Sequence, residues 1–104
     1  MVFGKSTPSM EGVLWYLLAS SRGAPTRVEL LDAIRERPRN ANQLAKTLGY
    51  DYTTIRHHLD VLAENNVVES AGSGYGDVYL LTDAVEAEWD VVEEILDVVR
   101  EDDA

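Results

Sequence analysis

Hydrophobic positions three and four residues apart run through most of the chain, and residues that cap or break helices separate them. The first such run, after Thr7 and Pro8, predicts an amphipathic N-terminal helix over residues 8–20. A second helix is predicted to begin at the capping pair of Thr26 and Glu29 and to end before Pro38.

A capped helix, a tight turn and a second helix follow between residues 40 and 65. Asn40 and Gln43 form a capping pair for the first of these helices, and Gly49 ends it. Asp51 caps the second helix, whose buried face should consist of Ile55, Leu59 and Leu62. This order is how a helix-turn-helix presents one helix to the DNA major groove.

Two β-prone runs, 67–70 and 78–81, close this region, and the glycine-rich segment between them predicts a turn. A last helix is predicted over 83–101. The fold class is therefore mainly α with a small β-hairpin wing. It is a winged helix-turn-helix core at 26–82 with N- and C-terminal helices on either side, in a single domain of 1–104.

The last helix carries two apolar stripes side by side, which is more surface than one face of a small domain usually covers. We expect one stripe to pack on its own domain and the other to form a homodimer interface, although a single wide core face in a monomer is the alternative. The predicted interface residues are Val85, Trp89, Val92, Leu96 and Val99 in the last helix and Leu14, Trp15 and Leu18 in the first.

The net charge of −10 is unusual for a protein that binds DNA, so its distribution matters. Residues 83–104 contain ten acids and one base, which places nearly all the negative charge in the last helix and tail. Residues 22–60 contain seven bases and five acids, and this candidate DNA-reading part is mildly positive.

Composition also excludes several classes of protein. The chain has no cysteine, which excludes disulfides, thiolate metal sites and cysteine nucleophiles. The longest apolar run, 13–19, is far shorter than the ~18 residues that a membrane span needs, so a cytoplasmic protein with no membrane partner is expected. No phosphate-binding glycine loop or catalytic grouping is visible, which predicts no enzyme activity and no cofactor.

Four segments carry a resemblance to a known family: NQLA at 42–45, TIRHHLDVL at 54–62, ENNVVE at 64–69 and VYLLT at 78–82. Through them the chain resembles the ArsR-like branch of winged-helix transcriptional regulators. The resemblance implies a homodimer in which helices outside the winged helix pair across a two-fold axis. The chain departs from metal-sensing members, which use cysteine or His and carboxylate ligands, so a metal sensor is not expected.

The exposed face of the second helix in the helix-turn-helix is the candidate DNA-reading surface. Arginine pairs with guanine, and threonine suits phosphates, base edges and the thymine methyl. The predicted contacts are Thr54, Arg56 and His57 to base edges or adjacent phosphates, Tyr52 and Thr53 to the backbone, and Asn40, Asn42 and Gln43 to phosphates. The alternative is that this is the solvated face of an ordinary helix.

His57 and His58 are adjacent, so their side chains point about 100° apart on a helix and do not readily chelate one metal ion. His58 is predicted to be partly buried and His57 exposed. The wing, 67–82, has two acids and no base, which leaves open whether backbone groups at 73–75 approach a phosphate or the hairpin makes no contact.

Taken together, these features predict a sequence-specific, double-stranded DNA-binding transcriptional regulator that acts as a homodimer with helix 51–65 in the major groove. Its expected partners are double-stranded DNA, a second copy of the chain and basal transcription machinery. The alternative is a winged-helix protein–protein interaction module that docks through its acidic C-terminal helix. The base-free wing and the acidic tail favour that alternative.

Overall fold

The computed structural model describes residues 9–20, 22–72 and 77–103 and is mainly helical with one small antiparallel sheet, which confirms the predicted fold class. In chain order the elements are α1 (Met10–Trp15), a π-helical turn (Tyr16–Ser20, the π-turn), α2 (Ala24–Glu36), β1 (Arg39–Asn40), α3 (Ala41–Leu48), α4 (Tyr52–Glu64), β2 (Val68–Ala71), β3 (Val78–Leu81), α5 (Asp83–Ala87) and α6 (Trp89–Asp103).

The N-terminal helix begins at Met10, because the Ser9 hydroxyl accepts a hydrogen bond from the Gly12 backbone N–H at 3.1 Å and caps it. The predicted start at Thr7 and Pro8 lies outside the described residues. Within the predicted span the helix widens after Trp15 into the π-turn, a change that no residue pattern indicated.

The predicted start of the second helix was wrong. Thr26 and Glu29 do not cap it; α2 begins at Ala24, and Gly23 is its N-cap in the left-handed conformation with φ +87°. Proline has a fixed φ and no N–H, so Pro25 suits the first turn of a helix. The helix therefore begins before Thr26, at Ala24. Thr26 therefore lies inside the helix rather than before it.

The sheet has three strands in the order β1-β3-β2, where the sequence predicted two. β2 and β3 form the predicted antiparallel hairpin, with Val68 opposite Leu81. The third strand, β1, pairs with the other edge of β3 and places Arg39 opposite Tyr79. Two residues are too few to show an alternating pattern, so this strand was missed.

The C-terminal segment forms two helices, not the single helix predicted over 83–101. The Thr82 hydroxyl accepts from the Val85 N–H at 3.3 Å and caps α5, and the chain turns at Glu88 before α6 starts at Trp89. No glycine or proline marks this break. The helix-favouring composition on both sides of Glu88 therefore hides it from sequence reasoning.

One hydrophobic core joins the outer helices to the helix-turn-helix, and it includes most of the residues predicted for the dimer interface. Leu14, Leu18, Val85 and Val92 are almost fully buried within the single chain, Trp89 and Leu96 are buried, and Trp15 and Val99 are partly buried. Val91 and Ile95 of the second stripe are buried as well. The first stripe and the Val91 and Ile95 half of the second therefore face one core, while Ala84 and Val98 of the second stripe stay exposed.

Among the described ranges, no helix has the length and apolar character needed to cross a membrane.

Candidate nucleic-acid interface

The turn between α3 and α4 is fixed at both ends. Gly49 adopts the left-handed conformation with φ +80°, and its N–H donates to the Ala45 carbonyl at 2.9 Å, which ends α3 as predicted. Tyr50 then donates its hydroxyl to the Glu29 carboxylate at 2.7 Å, anchoring the turn to α2. The two helices of the motif are therefore held at a defined angle.

The start of α3 is a complete capping box, as predicted. The Gln43 backbone N–H donates to the Asn40 side chain at 2.8 Å, and the Asn40 backbone N–H donates to the Gln43 side chain at 2.9 Å. Both side chains thus fix the helix start. Asn42 and Lys46 are exposed on the same helix. Lys46 was missing from the predicted contacts, although it is the single lysine of residues 22–60.

The exposed face of α4 presents Tyr52, Thr53 and His57 to solvent. Thr54 is half-buried and donates its hydroxyl to the Asp51 carboxylate at 2.7 Å, while its backbone N–H donates to the same group at 3.1 Å. These hydrogen bonds from Thr54 hold the pKa of Asp51 below its ordinary value. Thr54 is therefore part of the cap of α4, and its side chain faces DNA less openly than predicted.

Arg56 is tied to the wing. Its guanidinium donates to the Tyr79 hydroxyl on β3 and to the Asp60 carboxylate one turn along α4, the latter at 3.0 Å, and the side chain is 38% exposed. The sequence predicted Arg56 as a base-reading residue. In the structure it joins the recognition helix to the hairpin, so contact with a guanine requires the exchange of an existing partner.

The two histidines lie where the sequence predicted them. His57 is exposed, whereas His58 is buried at 8% relative exposure and accepts a hydrogen bond from the Arg27 Nε–H on its Nδ1 at 3.2 Å. Burial first, and then the Arg27 charge, lowers the pKa of His58. Within the described part of the chain, no three His, Asp or Glu side chains converge as a metal site would require.

Part of the positive charge predicted for the DNA-reading part is used inside the protein. Arg27 and Arg39 are buried, and Arg39 donates to the Ala33 carbonyl and to Glu36. Arg35 lies 4.4 Å from the centre of the Trp89 ring, on the side of α2 that faces the C-terminal helices. The bases that remain exposed or partly exposed are Arg22, Arg35, Arg37, Lys46 and Arg56, and Arg35 forms an ion pair with Glu86 at 3.5 Å.

The helix-turn-helix geometry agrees with a family-level match. Residues 24–70 match the sequence profile described as bacterial regulatory protein, arsR family. This segment, from α2 to β2, is similar to the helix-turn-helix of that family. The match confirms the resemblance seen in the sequence and supports a DNA-binding transcriptional regulator, since the proteins of that family are regulators and not enzymes. Comparison with proteins of curated function returns no match.

Solved structures of similar fold cover nearly the whole chain. The AntR antimony-specific transcriptional repressor is 25% identical, with a TM-score of 0.66 over 88% of this chain and 78% of that one. The repressor BigR from Xylella fastidiosa is 23% identical, with a TM-score of 0.66 over 88% and 85%. A probable transcriptional regulator from Pseudomonas aeruginosa is 19% identical, with a TM-score of 0.65 over 88% and 72%. The last two likenesses concern the fold alone.

Proposed function

We propose that the chain is a homodimeric, cytoplasmic transcriptional regulator that binds double-stranded DNA sequence-specifically, with α4 in the major groove. The observation that carries this proposal is the exposed polar face of α4, which shows Tyr52, Thr53 and His57 on a helix fixed by a capped turn. A helix in this position of the motif contacts base edges with its N-terminal half.

The contacts divide by role. Tyr52 and Thr53 stand at the start of α4 and suit the phosphate backbone, while His57, one turn further, suits a base edge. Asn42 and Lys46 on α3 provide additional phosphate contacts. Arg56 reads a guanine once DNA replaces Asp60 as its partner, and Asn40 and Gln43 act mainly by fixing the start of α3.

The homodimer would use the apolar surface that the outer helices leave uncovered. Tyr16 in the π-turn is 62% exposed and Val98 in α6 is 41% exposed, and Trp15 and Val99 are only partly buried. The N-terminal helix and the π-turn pack on α6, so the elements that carry these side chains are neighbours. A two-fold dimer would place its reading helices on half-sites about one turn of DNA apart, ~34–36 Å.

A second candidate function is docking of a protein partner, including basal transcription machinery. An open groove of about 470 Å³ lies between α2 and the C-terminal helices, and its lining is mainly acidic. The lining residues are Asp32, Arg35, Glu36, Glu86, Trp89 and Glu93. This lining would suit a basic segment of the partner.

The test is fluorescence anisotropy with the duplex upstream of the chain's own gene, compared with a scrambled duplex. His57→Ala should weaken specific binding by about 5- to 150-fold if it contacts a base, since a good base contact contributes ~1–3 kcal/mol. Thr53→Ala should weaken both duplexes alike. Glu93→Gln on α6 is the matched control and should bind as wild type.

Equal wild-type affinity for both duplexes at every salt concentration would contradict the proposal. The docking function would then be tested by adding a labelled arginine-rich peptide to wild type and to Glu93→Lys. Loss of peptide binding in that variant would support the acidic groove as the functional surface.

A further inference from the structure

A buried polar contact behind the recognition helix joins three elements of the fold. The Arg27 side chain on α2 donates from Nε to Nδ1 of His58 on α4 at 3.2 Å, and from a terminal nitrogen to the Leu17 carbonyl in the π-turn at 3.3 Å. Arg27 and His58 are 6% and 8% exposed. The N-terminal helix, α2 and the recognition helix thus share one arginine.

The chemistry of this contact fixes the charge of His58. An arginine in a protein is always protonated and can only donate, so Nδ1 of His58 must be the acceptor and the ring must be neutral. A proton on Nδ1 would remove the acceptor and place two cations in contact in a buried position. The hydrogen bond and a charged His58 therefore exclude one another.

The surroundings of His58 leave little room for it to adjust. A Cβ atom built on Gly23, the N-cap of α2, would lie only 2.6 Å from Cε1 of the His58 ring. The charged or titratable groups near the ring are Arg27 from α2 and His57 from its own helix, whose ring centre is 5.4 Å away, while the π-turn contributes the uncharged Leu17 carbonyl.

We propose that Arg27 and His58 are positioning residues for DNA binding: their neutral hydrogen bond holds α4 against α2 and the π-turn, and protonation of His58 releases the recognition helix and weakens DNA binding. This inference rests on the proposed function, because it needs α4 to be the reading helix. Beyond the proposed function, it assigns a role to two residues that do not contact DNA, and it makes the affinity for DNA depend on pH.

The chain's other histidine, His57, lies exposed on the same helix, so the effect of His58 has to be measured without it. Protonation of His58 breaks the contact with Arg27 and weakens binding. Because the chain contains only these two histidines, replacing His57 isolates the effect of His58.

The experiment measures DNA affinity of the full chain between pH 7.5 and 5.0, together with NMR titration of the histidine ring, in the His57→Asn variant. We expect affinity to fall once the His58 ring titrates, by up to about tenfold per pH unit for each protomer bound, the limit for one linked proton. Backbone amides of α4 should shift with the same midpoint.

The matched variant is His57→Asn with His58→Asn, in which the asparagine Oδ1 stands on Cγ where Nδ1 stood and still accepts from Arg27. Its affinity at pH 7.5 can be lower, since the ring is lost, but it should not decline further with acid. Arg27→Met provides a second test, because removal of the guanidinium should raise the pKa of His58 in the NMR titration.

An affinity that stays constant to pH 5.0 in His57→Asn, or declines equally in the double variant, would overturn the inference while leaving the proposed function standing. Specific binding absent from the wild-type chain at pH 7.5 would overturn the proposed function, and this inference with it. If Arg27→Met does not fold, the double variant still decides.

Discussion

At the scale of single residues, two left-handed glycines at helix ends have different surroundings. Gly23 at the start of α2 has φ +87°, and a Cβ there would meet the His58 ring. Gly49 at the end of α3 has φ +80°, and a Cβ there would have nothing within 4 Å. Both positions need the backbone freedom of glycine, but only Gly23 also needs the absence of a side chain.

Gly23→Ala and Gly49→Ala therefore form a matched pair. We expect Gly49→Ala to lower the free energy of unfolding by about 1–2 kcal/mol through backbone strain alone. Gly23→Ala should cost about 1–3 kcal/mol more, because its Cβ crowds His58. Urea denaturation checks both values. Equal losses of unfolding free energy in the two variants would mean that the His58 ring can move away from a Cβ at Gly23 without destabilising the fold.

The buried His58 also makes stability depend on pH. Its pKa is lowered in the folded chain, so the unfolded chain binds more protons once the pH falls below about 6.5. Its contribution to the free energy of unfolding is complete above that pH, declines as the pH falls towards the folded pKa, and is constant below it. Denaturation at pH 7.5, 6.5 and 5.5 should show this decline in wild type.

The same series on His58→Asn should remove most of that decline. Glu36 and Asp51, whose pKa values are also lowered, have ordinary values of 4.5 and 3.8, so their contribution is lost only in more acidic solution. Their hydrogen-bond partners are Arg39 and Thr54 respectively. An unchanged decline in His58→Asn would assign the effect to another group.

At the scale of elements, local signals were predictable and long-range ones were not. The capping box at Asn40, the end at Gly49 and the cap at Asp51 follow from neighbouring residues, and the structure confirms all three. The strand at 39–40 exists only because β3 lies beside it, and the helix break at Glu88 has no local marker. Packing between distant segments decides such features.

The candidate site divides in the same way. The exposure of His57 and the burial of His58 followed from helical periodicity. Their contacts did not, because Tyr79 reaches Arg56 across 23 residues and Arg27 reaches His58 across 31. Sequence reasoning therefore located the exposed face of α4 but could not show that Arg56 is held by the wing.

The start of α3 allows a test that separates folding from DNA contact. Asn40→Ala removes a capping side chain and should lower the free energy of unfolding by ~1 kcal/mol. Asn42→Ala, two residues on and exposed, should leave stability unchanged and weaken DNA binding by the loss of one phosphate contact. Thermal unfolding and anisotropy are measured on both variants. A lower free energy of unfolding in Asn42→Ala would contradict the assignment of Asn42 to DNA contact rather than to folding.

At the scale of the whole molecule, most apolar side chains of the C-terminal helices are buried in the core of the single chain. Little apolar surface on these helices is therefore left for the proposed dimer interface. Tyr16 and Val98 are the large exposed hydrophobic side chains on the outer helices. Tyr52, the remaining exposed one among the described residues, lies on α4. Tyr16 and Val98 are therefore the positions at which the proposed dimer interface is tested.

Tyr16→Asp combined with Val98→Asp should shift the dimer towards monomer and lower apparent DNA affinity, because two half-sites would no longer bind together. Tyr52→Asp is the control with a similar change on the reading side. It should stay dimeric and lose DNA binding directly. Sedimentation velocity and anisotropy distinguish these results, and a doubly substituted protein that remains dimeric would place the interface elsewhere.

The Arg35 side chain stacked on Trp89 has an optical consequence. Both tryptophans of the chain, Trp15 and Trp89, lie on the outer helices, whereas Tyr50, Tyr52 and Tyr79 lie in the helix-turn-helix and wing. Light at the red edge of the absorption band excites only the tryptophans. Their emission should therefore report changes around the outer helices, which gives the protein an intrinsic fluorescent reporter for one half of the fold.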